Sequence, residues 1–459
     1  MEENNSPGIT TVSALGFRAR LLYGLGSVGT GLYFSVPGIL LLFYMTDTLG
    51  VESSLAALAI FLPKLVGALA DPVAGYLSDG TRSRYGRRLP WMAVGGAIIA
   101  VCLWLLFAVP EGLTGRAAFF YILGVYLISS LGYSAYAVPY LAIPAEVTRD
   151  PVERSRLIAM RMVLTMVGVL AGSAAAPWAV EYFGGGRVGY HHMGVMIALF
   201  GILAFVAAAC FAFIFVRENV SQVSEGGLGR QLSQVFSNLN FMILVLIFVL
   251  QTVSTSGFSA LLPYVVTRQW GGAESMVGLL MLCFLLSSMG GMVAWSAAAS
   301  RLGKRRTLVL AILSYTLVIS AFLIIQSAPG RLLLCVLFAV VGFFFSGTQL
   351  LPFAMVADEI FESGLRSGSR NEGVFTGIWT SCEKLGLSLG APMAALVLAM
   401  AGYIESSGVE VVQSPETVRE IYAGFIGIPI AAQCLSIGLL VLQLWLQRRS
   451  APLRVPRHA

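Results

Sequence analysis

Charged residues are scarce in this sequence. Asp, Glu, Lys and Arg together make up 11% of its 459 residues, whereas 57% are hydrophobic and the mean hydropathy is +0.82. Soluble globular domains contain about 25% charged residues. The shortage of charge therefore excludes a soluble fold, and the excess of apolar residues predicts a protein that lies in a lipid bilayer.

Residues that bind metals or form disulfides are also few. The chain has three histidines and six cysteines, and the cysteines are scattered through apolar segments without a Cys-x-x-Cys pair. This distribution predicts buried free thiols and gives no support to a metal site. The sequence also lacks a Gly-Lys-Ser/Thr phosphate-binding loop, which argues against an ATP-driven pump. We therefore expect a protein that is not an enzyme and has no cofactor.

Twelve long apolar segments account for most of the chain. Each approaches or exceeds the roughly 20 residues that a helix needs to cross a bilayer, in which lipid cannot satisfy an exposed backbone. The sequence therefore predicts an all-α membrane protein with twelve transmembrane helices. We place these helices at residues 18–47, 52–79, 89–110, 117–144, 156–182, 192–216, 239–268, 275–300, 306–327, 331–361, 371–403 and 416–447.

A short basic turn occurs twice between apolar segments. It reads Ser-Arg-Tyr-Gly-Arg-Arg at Ser83–Arg88 and Ser-Arg-Leu-Gly-Lys-Arg at Ser300–Arg305, which is 217 positions later. A proline followed seven residues later by a glutamate also occurs twice, beginning at Pro139 and at Pro352, 213 positions apart. Two unrelated landmarks at nearly the same offset indicate the duplication of a half-chain module.

The distribution of positive charge predicts the topology. Lys and Arg in short loops stay on the cytoplasmic side, and most of the 29 such residues fall on one side if both termini are cytoplasmic. The two basic turns are then separated by six helices, so each half has six helices in the same orientation, as in many secondary transporters. The topology therefore explains the net charge of +6, and a nucleic-acid partner is not needed to account for it. The predicted units are a tail at 1–17, a first half at 18–216, a cytoplasmic linker at 217–238, a second half at 239–447 and a tail at 448–459.

Several motifs together resemble those of a known family. Asp71–Asp79 reads Asp-Pro-Val-Ala-Gly-Tyr-Leu-Ser-Asp, and Thr81–Trp91 continues with Thr-Arg-Ser-Arg-Tyr-Gly-Arg-Arg-Leu-Pro-Trp. Arg370–Gly373 and Glu383–Gly386 add matches in the second half. The set resembles the glycoside-pentoside-hexuronide:cation symporters, the melibiose permease family of the major facilitator superfamily, to which the sodium-dependent lysophospholipid transporters are related. The resemblance implies a major facilitator fold and the symport of a sugar or glycoside with H⁺ or Na⁺ by alternating access.

Asp71 is the candidate cation-binding residue. An ionised carboxylate in an apolar helix is unfavourable unless it is paired, hydrated or protonated. The residues alone leave two interpretations, a coupling-ion site or a salt bridge with a lysine such as Lys64 or Lys384. The resemblance favours the first, because Asp71 matches one of the two carboxylates that bind the cation in the family.

The resemblance also implies a central cavity for the solute. Arg161 and Lys384 match basic residues that face this cavity in the family, and Glu383 is next to Lys384. Aromatic residues on the helices expected to line the cavity could stack on a sugar ring, although such residues are more often packing residues. The candidate solute-binding residues are Arg161, Glu383, Lys384, Tyr133, Tyr136, Trp379 and Gly31.

Several acids of the family are missing. Gly67 occupies the position of the second cation-binding carboxylate, Thr30 and Gly31 occupy the positions of a sugar-binding Lys-Asp pair, and a further Asp is lost near Tyr136. Three functions therefore stay open. The first is sugar or glycoside symport, the second is transport of a lysolipid-like or anionic amphiphilic solute, and the third is a sensor that kept the fold without transport.

The two basic turns are interpreted as conformational latches. Charged loops at helix ends can pair with acids of the opposite half in one state and release them in another. The alternative is that the arginines serve only to orient the chain. The candidate gating residues are Asp79, Arg82, Arg84, Arg87, Arg88, Glu146, Arg301, Asp358 and Glu359, with Glu153 and Glu372 as further acidic partners. We expect a monomer in the inner membrane of a cell.

Overall fold

The computed structural model describes residues 15–148, 151–216, 236–325, 330–367, 372–405 and 411–450. Within these ranges the chain is helical and has no β-strand. Eleven of the described helical segments are long and apolar enough to cross a membrane. A twelfth, Lys304–Ala321, is 18 residues long and begins with three basic residues. The prediction of an all-α membrane protein is therefore confirmed, and the count of twelve helices is approximately supported.

The first half of the chain contains helices α1 to α7. Two of its spans are continued by π-helical turns, in which one extra residue is accommodated in the helix. The segments are α1 at Phe17–Val36, π turns at Pro37–Leu41 and Tyr44–Thr48, α2 at Ser53–Gly80, α3 at Leu89–Phe107, α4 at Gly115–Val147, α5 at Pro151–Leu170, a π turn at Ala171–Ala175, α6 at Ala176–Tyr182 and α7 at Gly186–Phe215.

The second half contains helices α8 to α14. Its first span also ends in a π-helical turn, so the first helices of both halves share this feature. The segments are α8 at Leu239–Tyr264, a π turn at Val265–Gln269, α9 at Glu274–Leu302, α10 at Lys304–Ala321, α11 at Arg331–Ser367, α12 at Glu372–Ser388, α13 at Gly390–Met400 and α14 at Pro415–Ser450.

Several helices extend beyond the predicted apolar segments. Helix α7 begins at Gly186 rather than at 192, and α11 continues to Ser367 rather than ending at 361. Hydropathy marks only the part of a helix that lies in hydrocarbon. The backbone hydrogen bonds of a helix continue past that boundary, because the polar residues beyond it are compatible with the same conformation.

The two basic turns have similar backbone geometry. Gly86 has a φ of 82° and Gly303 a φ of 85°, in the left-handed region that favours glycine. Gly303 ends α9 and directly precedes α10. The glycine that recurs in both turns is therefore required by the sharp reversal between consecutive helices.

Small residues allow helices to pack closely in the first half. A Cβ atom on Gly31 would lie 2.5 Å from the carbonyl oxygen of Thr165 and 2.7 Å from the backbone nitrogen of Val169. Helices α1 and α5 thus approach backbone to backbone at this position. Such contacts are typical of membrane helices, whose association depends on van der Waals packing rather than on the exclusion of water.

The bundle has two ends of different charge. The end that carries the two basic turns is called the basic end. The opposite end, which contains residues 47–52, 108–114, 183–185, 270–273 and 401–405, is called the acidic end. The halves meet where α2 packs against α12 and α13, where α6 packs against α9, and where the Pro37–Leu41 turn packs against α8.

Candidate functional site

An ion pair connects the two halves in the interior of the bundle. Lys384 of α12 donates a hydrogen bond from Nζ to Oδ2 of Asp71 of α2. Both side chains are partly buried, with 21% of Asp71 and 30% of Lys384 exposed. The other carboxylate oxygen, Asp71 Oδ1, is buried and has no hydrogen-bond partner among the described residues. Asp71 therefore has one oxygen that is hydrogen-bonded to the other half and one that has no described partner.

Contacts with α4 position α2 beside this interface. Ser130 Oγ donates to the carbonyl oxygen of Pro63 at 2.6 Å, and Ser134 Oγ donates to that of Gly67 at 3.0 Å. A Cβ atom at Gly67 would collide with Ser130 Oγ. A side chain at Gly67 would therefore require the Ser130 hydroxyl to turn away and give up its hydrogen bond to Pro63.

Lys384 is also held by an aromatic ring. Its Nζ atom lies 5.7 Å from the centroid of the Tyr133 ring, within the range of a cation–π interaction. Tyr133 stacks on Tyr33, with ring centroids 4.6 Å apart and an angle of 10° between the planes. The ammonium group of Lys384 is therefore placed between the carboxylate of Asp71 and a stacked pair of tyrosines.

Arg161 and Glu383 lie close to the Asp71–Lys384 ion pair and to Tyr133. The guanidinium group of Arg161 lies close enough to Tyr23, Tyr133 and Glu383 to interact electrostatically with each. Glu383 interacts in the same way with Arg161 and Lys384. The central cluster is defined as Asp71, Tyr133, Arg161, Glu383 and Lys384, and it combines two acids, two bases and one tyrosine ring between the halves.

Lys64 does not take part in the Asp71 ion pair. It lies two helical turns from Asp71 on α2, and it forms no ion pair within the described part of the chain. Its electrostatic surroundings contain no described charged group. Of the two lysines considered as partners of Asp71, the structure therefore pairs the one from the opposite half.

Three candidate solute-binding residues are packed against other side chains or helices. Tyr136 is fully buried and packs against Tyr140 and Phe205, with ring centroids 5.2 and 4.6 Å away. Gly31 lies in the contact between α1 and α5 described above. Trp379 is 2% exposed and stacks on Phe248 at 4.2 Å, although its indole nitrogen has no described partner. In this conformation these residues serve packing.

Each basic turn has a described contact with its own half. Arg88 is buried and donates to Ser78 Oγ at 2.9 Å, and Lys304, which was not a candidate gating residue, donates to the carbonyl oxygen of Ala354 at 3.1 Å. Arg82, Arg84 and Arg301 are exposed, and the guanidinium carbon of Arg84 lies 4.6 Å from the centroid of the Tyr85 ring. Arg87 also interacts with another residue.

The acids expected to receive these arginines divide into two groups. Glu153 pairs with Arg20 at 2.7 Å, and Glu359 accepts a hydrogen bond from Asn238 at 3.0 Å, each within one half. The side chains of Asp79, Glu146, Asp358 and Glu372 lie outside the described residues. The latch therefore stays a prediction.

A second set of contacts between the halves, at the acidic end, was not predicted. Asp47 accepts hydrogen bonds from Arg268 and from Tyr403, the latter at 2.8 Å. Further hydrogen bonds link the hydroxyls of Thr46 and Tyr264 at 2.6 Å, the backbone nitrogen and hydroxyl of Ser53 with Glu405 at 2.9 and 2.8 Å, and the backbone nitrogen of Ser275 with Glu181 at 2.9 Å. This set is called the acidic-end gate.

A signal for this gate was present in the sequence. Asp47 and Arg268 are 221 positions apart, and Thr46 and Tyr264 are 218 positions apart. These separations are close to the offset of the duplicated basic turn. Polar residues at equivalent span ends of the two halves can therefore be paired by applying the duplication offset.

Solved structures of transporters share this fold. A bacterial homologue of the human drug peptide transporters PepT1 and PepT2 superposes with a TM-score of 0.66 at 13% identity, over 94% of this chain and 99% of that chain. The nucleoside transporter NupG gives a TM-score of 0.64 at 14% identity, over 92% and 98%. A bacterial homologue of the human lysosomal transporter Spinster, in an inward-facing and occupied conformation, gives 0.66 at 12% identity, over 94% and 96%. The architecture is that of the major facilitator transporters.

The sequence comparison is more specific. A family model described as MFS/sugar transport protein matches residues 22–445. The chain belongs to this family of transporters. The family resemblance inferred from the motifs around Asp71 and Lys384 is thereby confirmed.

Curated relatives align with nearly the whole chain. The isoprimeverose transporter of Lactiplantibacillus pentosus is 26% identical over 434 residues, which cover 92% of this chain and 87% of the relative. The glucuronide carrier protein homolog of Escherichia coli K12 is 24% identical over 438 residues, covering 93% and 92%. The inner membrane symporter YicJ of the same organism is 24% identical over 427 residues, covering 92% and 90%.

Proposed function

We propose that this transporter carries a sugar or glycoside together with H⁺ or Na⁺ by alternating access, without an enzymatic reaction and without a cofactor. The observation that carries the proposal is the ion pair between Asp71 and Lys384, which joins the two halves through partly buried groups. The names of the relatives, which include an isoprimeverose transporter and a glucuronide carrier protein homolog, support a glycoside as the solute.

The coupling step is a competition for Asp71. A proton on Asp71, or a sodium ion bound to it, neutralises the carboxylate and removes the electrostatic attraction of Lys384. Asp71 Oδ1 has no hydrogen-bond partner among the described residues but is buried here, so an ion reaches this oxygen when movement of the halves exposes it. Release of Lys384 breaks the interior tie between the halves, so binding of the ion and movement of the halves become linked.

The released groups then face the solute. Lys384 and Arg161 can donate hydrogen bonds to sugar hydroxyls, Glu383 can accept them, and Tyr133 offers a ring face for stacking. Movement of one positive charge down a membrane potential supplies about 2.3 kcal/mol per 100 mV. That amount is enough to concentrate a neutral solute by tens of fold.

The orientation and the moving units are part of the proposal. The basic end faces the cytoplasm because Lys and Arg are retained on that side. Both termini and the linker at 217–238 are then cytoplasmic, and the halves at 18–216 and 239–447 rock against each other in the inner membrane of a cell as a monomer surrounded by lipid. The basic turns close the cytoplasmic side when the acidic-end gate opens.

Uptake by the purified protein in proteoliposomes tests this function. The probes are radiolabelled xylosides, galactosides and glucuronides, each measured with an imposed proton gradient, an imposed sodium gradient and no gradient. We expect accumulation of at least one probe above its external concentration, and collapse of that accumulation when an ionophore removes the driving gradient. Equilibration that is independent of either gradient would contradict symport, and absence of flux for every probe would favour a sensor.

A further inference from the structure

Glu274 is a carboxylic acid enclosed between the halves at the acidic end. It is the first residue of α9 in the second half, yet its side chain lies beside Tyr190 of α7 in the first half. Glu274 Oε2 and the Tyr190 hydroxyl are both buried and have no hydrogen-bond partner in the described part of the structure. The contact between the two groups exists only while the acidic-end gate is closed, because they belong to different halves.

The surroundings of Glu274 are acidic and aromatic. Asp47 and Glu181 are the described acids that act on its carboxyl group. Tyr190 is fully buried between Tyr44 and Phe107, with ring centroids 4.4 and 6.0 Å away.

The basic residues at this end are engaged elsewhere or lie apart. Arg268 donates to Asp47, and Arg187 donates to the carbonyl oxygens of Pro110, Glu111 and Leu113 at 2.7 to 3.2 Å. Arg331 lines the groove outside Glu181, at the start of α11. None of these three cations forms an ion pair with Glu274 within the described residues.

The backbone N–H groups at the N-terminus of α9 only partly stabilise the negative charge of Glu274. Backbone N–H groups at a helix N-terminus favour a nearby negative charge. Glu181 of the first half already accepts the N–H of Ser275 at 2.9 Å. The carboxylate that occupies this favourable position is therefore Glu181, and its charge adds to the repulsion on Glu274.

We infer that Glu274 is a proton-binding site of the acidic-end gate, separate from Asp71, and that it takes up a proton when this end of the transporter closes. An ionised carboxylate that is largely buried without a cationic partner and near two like charges is unfavourable, whereas the neutral acid is not. The closed gate thus binds this proton more tightly than the open gate does. By linkage, the ratio of closed to open gates rises as the pH falls, by up to about tenfold per pH unit for one proton.

Hydrogen–deuterium exchange of the full-length protein in detergent tests this inference. The readout is exchange in peptides that cover residues 44–53 and 270–280, compared between variant and wild type at the same pH so that the intrinsic pH dependence cancels. Glu274→Gln imitates the protonated acid. We expect these peptides to exchange at least tenfold more slowly than in wild type at pH 8 and at the same rate at pH 5.5.

A matched control changes another carboxylate of the same gate. Glu405→Gln removes an acid that has hydrogen-bond partners in Ser53, so it is expected to leave the pH dependence of the wild type in place. Equal exchange of Glu274→Gln and wild type at pH 8, or an equal difference at both pH values, would overturn the inference. The measurement needs no solute, and so its outcome is independent of whether sugar transport is found.

Discussion

The two ends of the bundle differ in how the halves are connected. At the acidic end, hydrogen bonds cross from one half to the other through Asp47, Ser53 and Glu181. At the basic end, the described polar contacts of Arg88 and Lys304 stay within one half. An alternating-access transporter closes one end at a time. The contacts at the acidic end indicate a conformation that is closed there, with the Asp71–Lys384 ion pair joining the halves farther inside the bundle.

The largest effect is expected at the central cluster, because Asp71 is both the proposed ion-binding residue and a member of the ion pair between the halves. Asp71→Asn removes the charge that attracts Lys384 and the group that binds the ion. We expect gradient-driven accumulation in proteoliposomes to be lost, so that the internal solute concentration falls by tens of fold to the external level, while exchange of labelled for unlabelled solute persists.

Glu111→Gln is the control for the loss of one acid. The Glu111 side chain is exposed in the first half, outside the central cluster. This variant is expected to retain accumulation. Unchanged coupling in Asp71→Asn would rule out the proposed role of Asp71.

The next largest effect is expected at the acidic-end gate. Arg268→Gln breaks the hydrogen bond to Asp47, which becomes a buried acid without its cation. Loss of a charged hydrogen bond of this kind is worth roughly 1.5–3 kcal/mol, so the open fraction should rise about tenfold or more. Faster hydrogen exchange in residues 44–53 would report that change.

Arg187→Gln provides the comparison for Arg268→Gln. Arg187 lies at the same end but donates only to carbonyl oxygens of the first half. Its replacement should not alter exchange in residues 44–53. If both variants open the gate equally, the contacts between the halves are not what closes this end.

A third variant tests whether packing within a half is independent of the gates. Gly31→Ala places a methyl group against the backbone of α5, whereas Gly38→Ala meets no atom within 4 Å. Overpacking of this kind destabilises a protein by about 1–3 kcal/mol. We expect a lower Tm in detergent by several degrees for Gly31→Ala only. A similar Tm for both variants would contradict the close approach of α1 and α5.

The smallest effect is expected at the basic end. Arg84→Ala removes an exposed guanidinium group, and exposed ion pairs are worth up to about 1 kcal/mol. If the basic turn is a latch, the initial rate of uptake should fall two- to fivefold, and Arg84→Lys should restore most of it. A rate unchanged in Arg84→Ala would favour the simpler role of the arginines in orienting the chain.

The fold could be predicted from the sequence because its main determinant is local. Each apolar segment marks its own helix, as for α2, which was placed at 52–79 and is found at Ser53–Gly80. The duplicated basic turn then relates the two halves. Helix ends were less accurate, because α7 and α11 extend beyond the apolar residues that identify them.

The central cluster could be predicted only in part. Charges in apolar helices identify Asp71, Lys384 and Arg161, since such groups are rare in lipid. The position of Tyr136 could not be read in this way, because it lies only three residues after Tyr133 and a small rotation of α4 decides which ring reaches the interface. The acidic-end gate was missed because its partners are more than 200 positions apart and lie at span ends, where polar residues are common.

The π-helical turns that end the first span of each half make the direction of the charged side chains depend on the exact number of residues in the turn. Each such turn accommodates one residue more than an α-helical turn, so it shifts the direction of all following side chains by about 100°. Asp47 and Arg268 lie within the turns at Tyr44–Thr48 and Val265–Gln269. Deletion of a single residue from either turn would restore an ordinary helix and rotate its charged group away from the other half. A variant that lacks one residue of either turn should therefore lose the hydrogen bond between Asp47 and Arg268, even though both residues are still present.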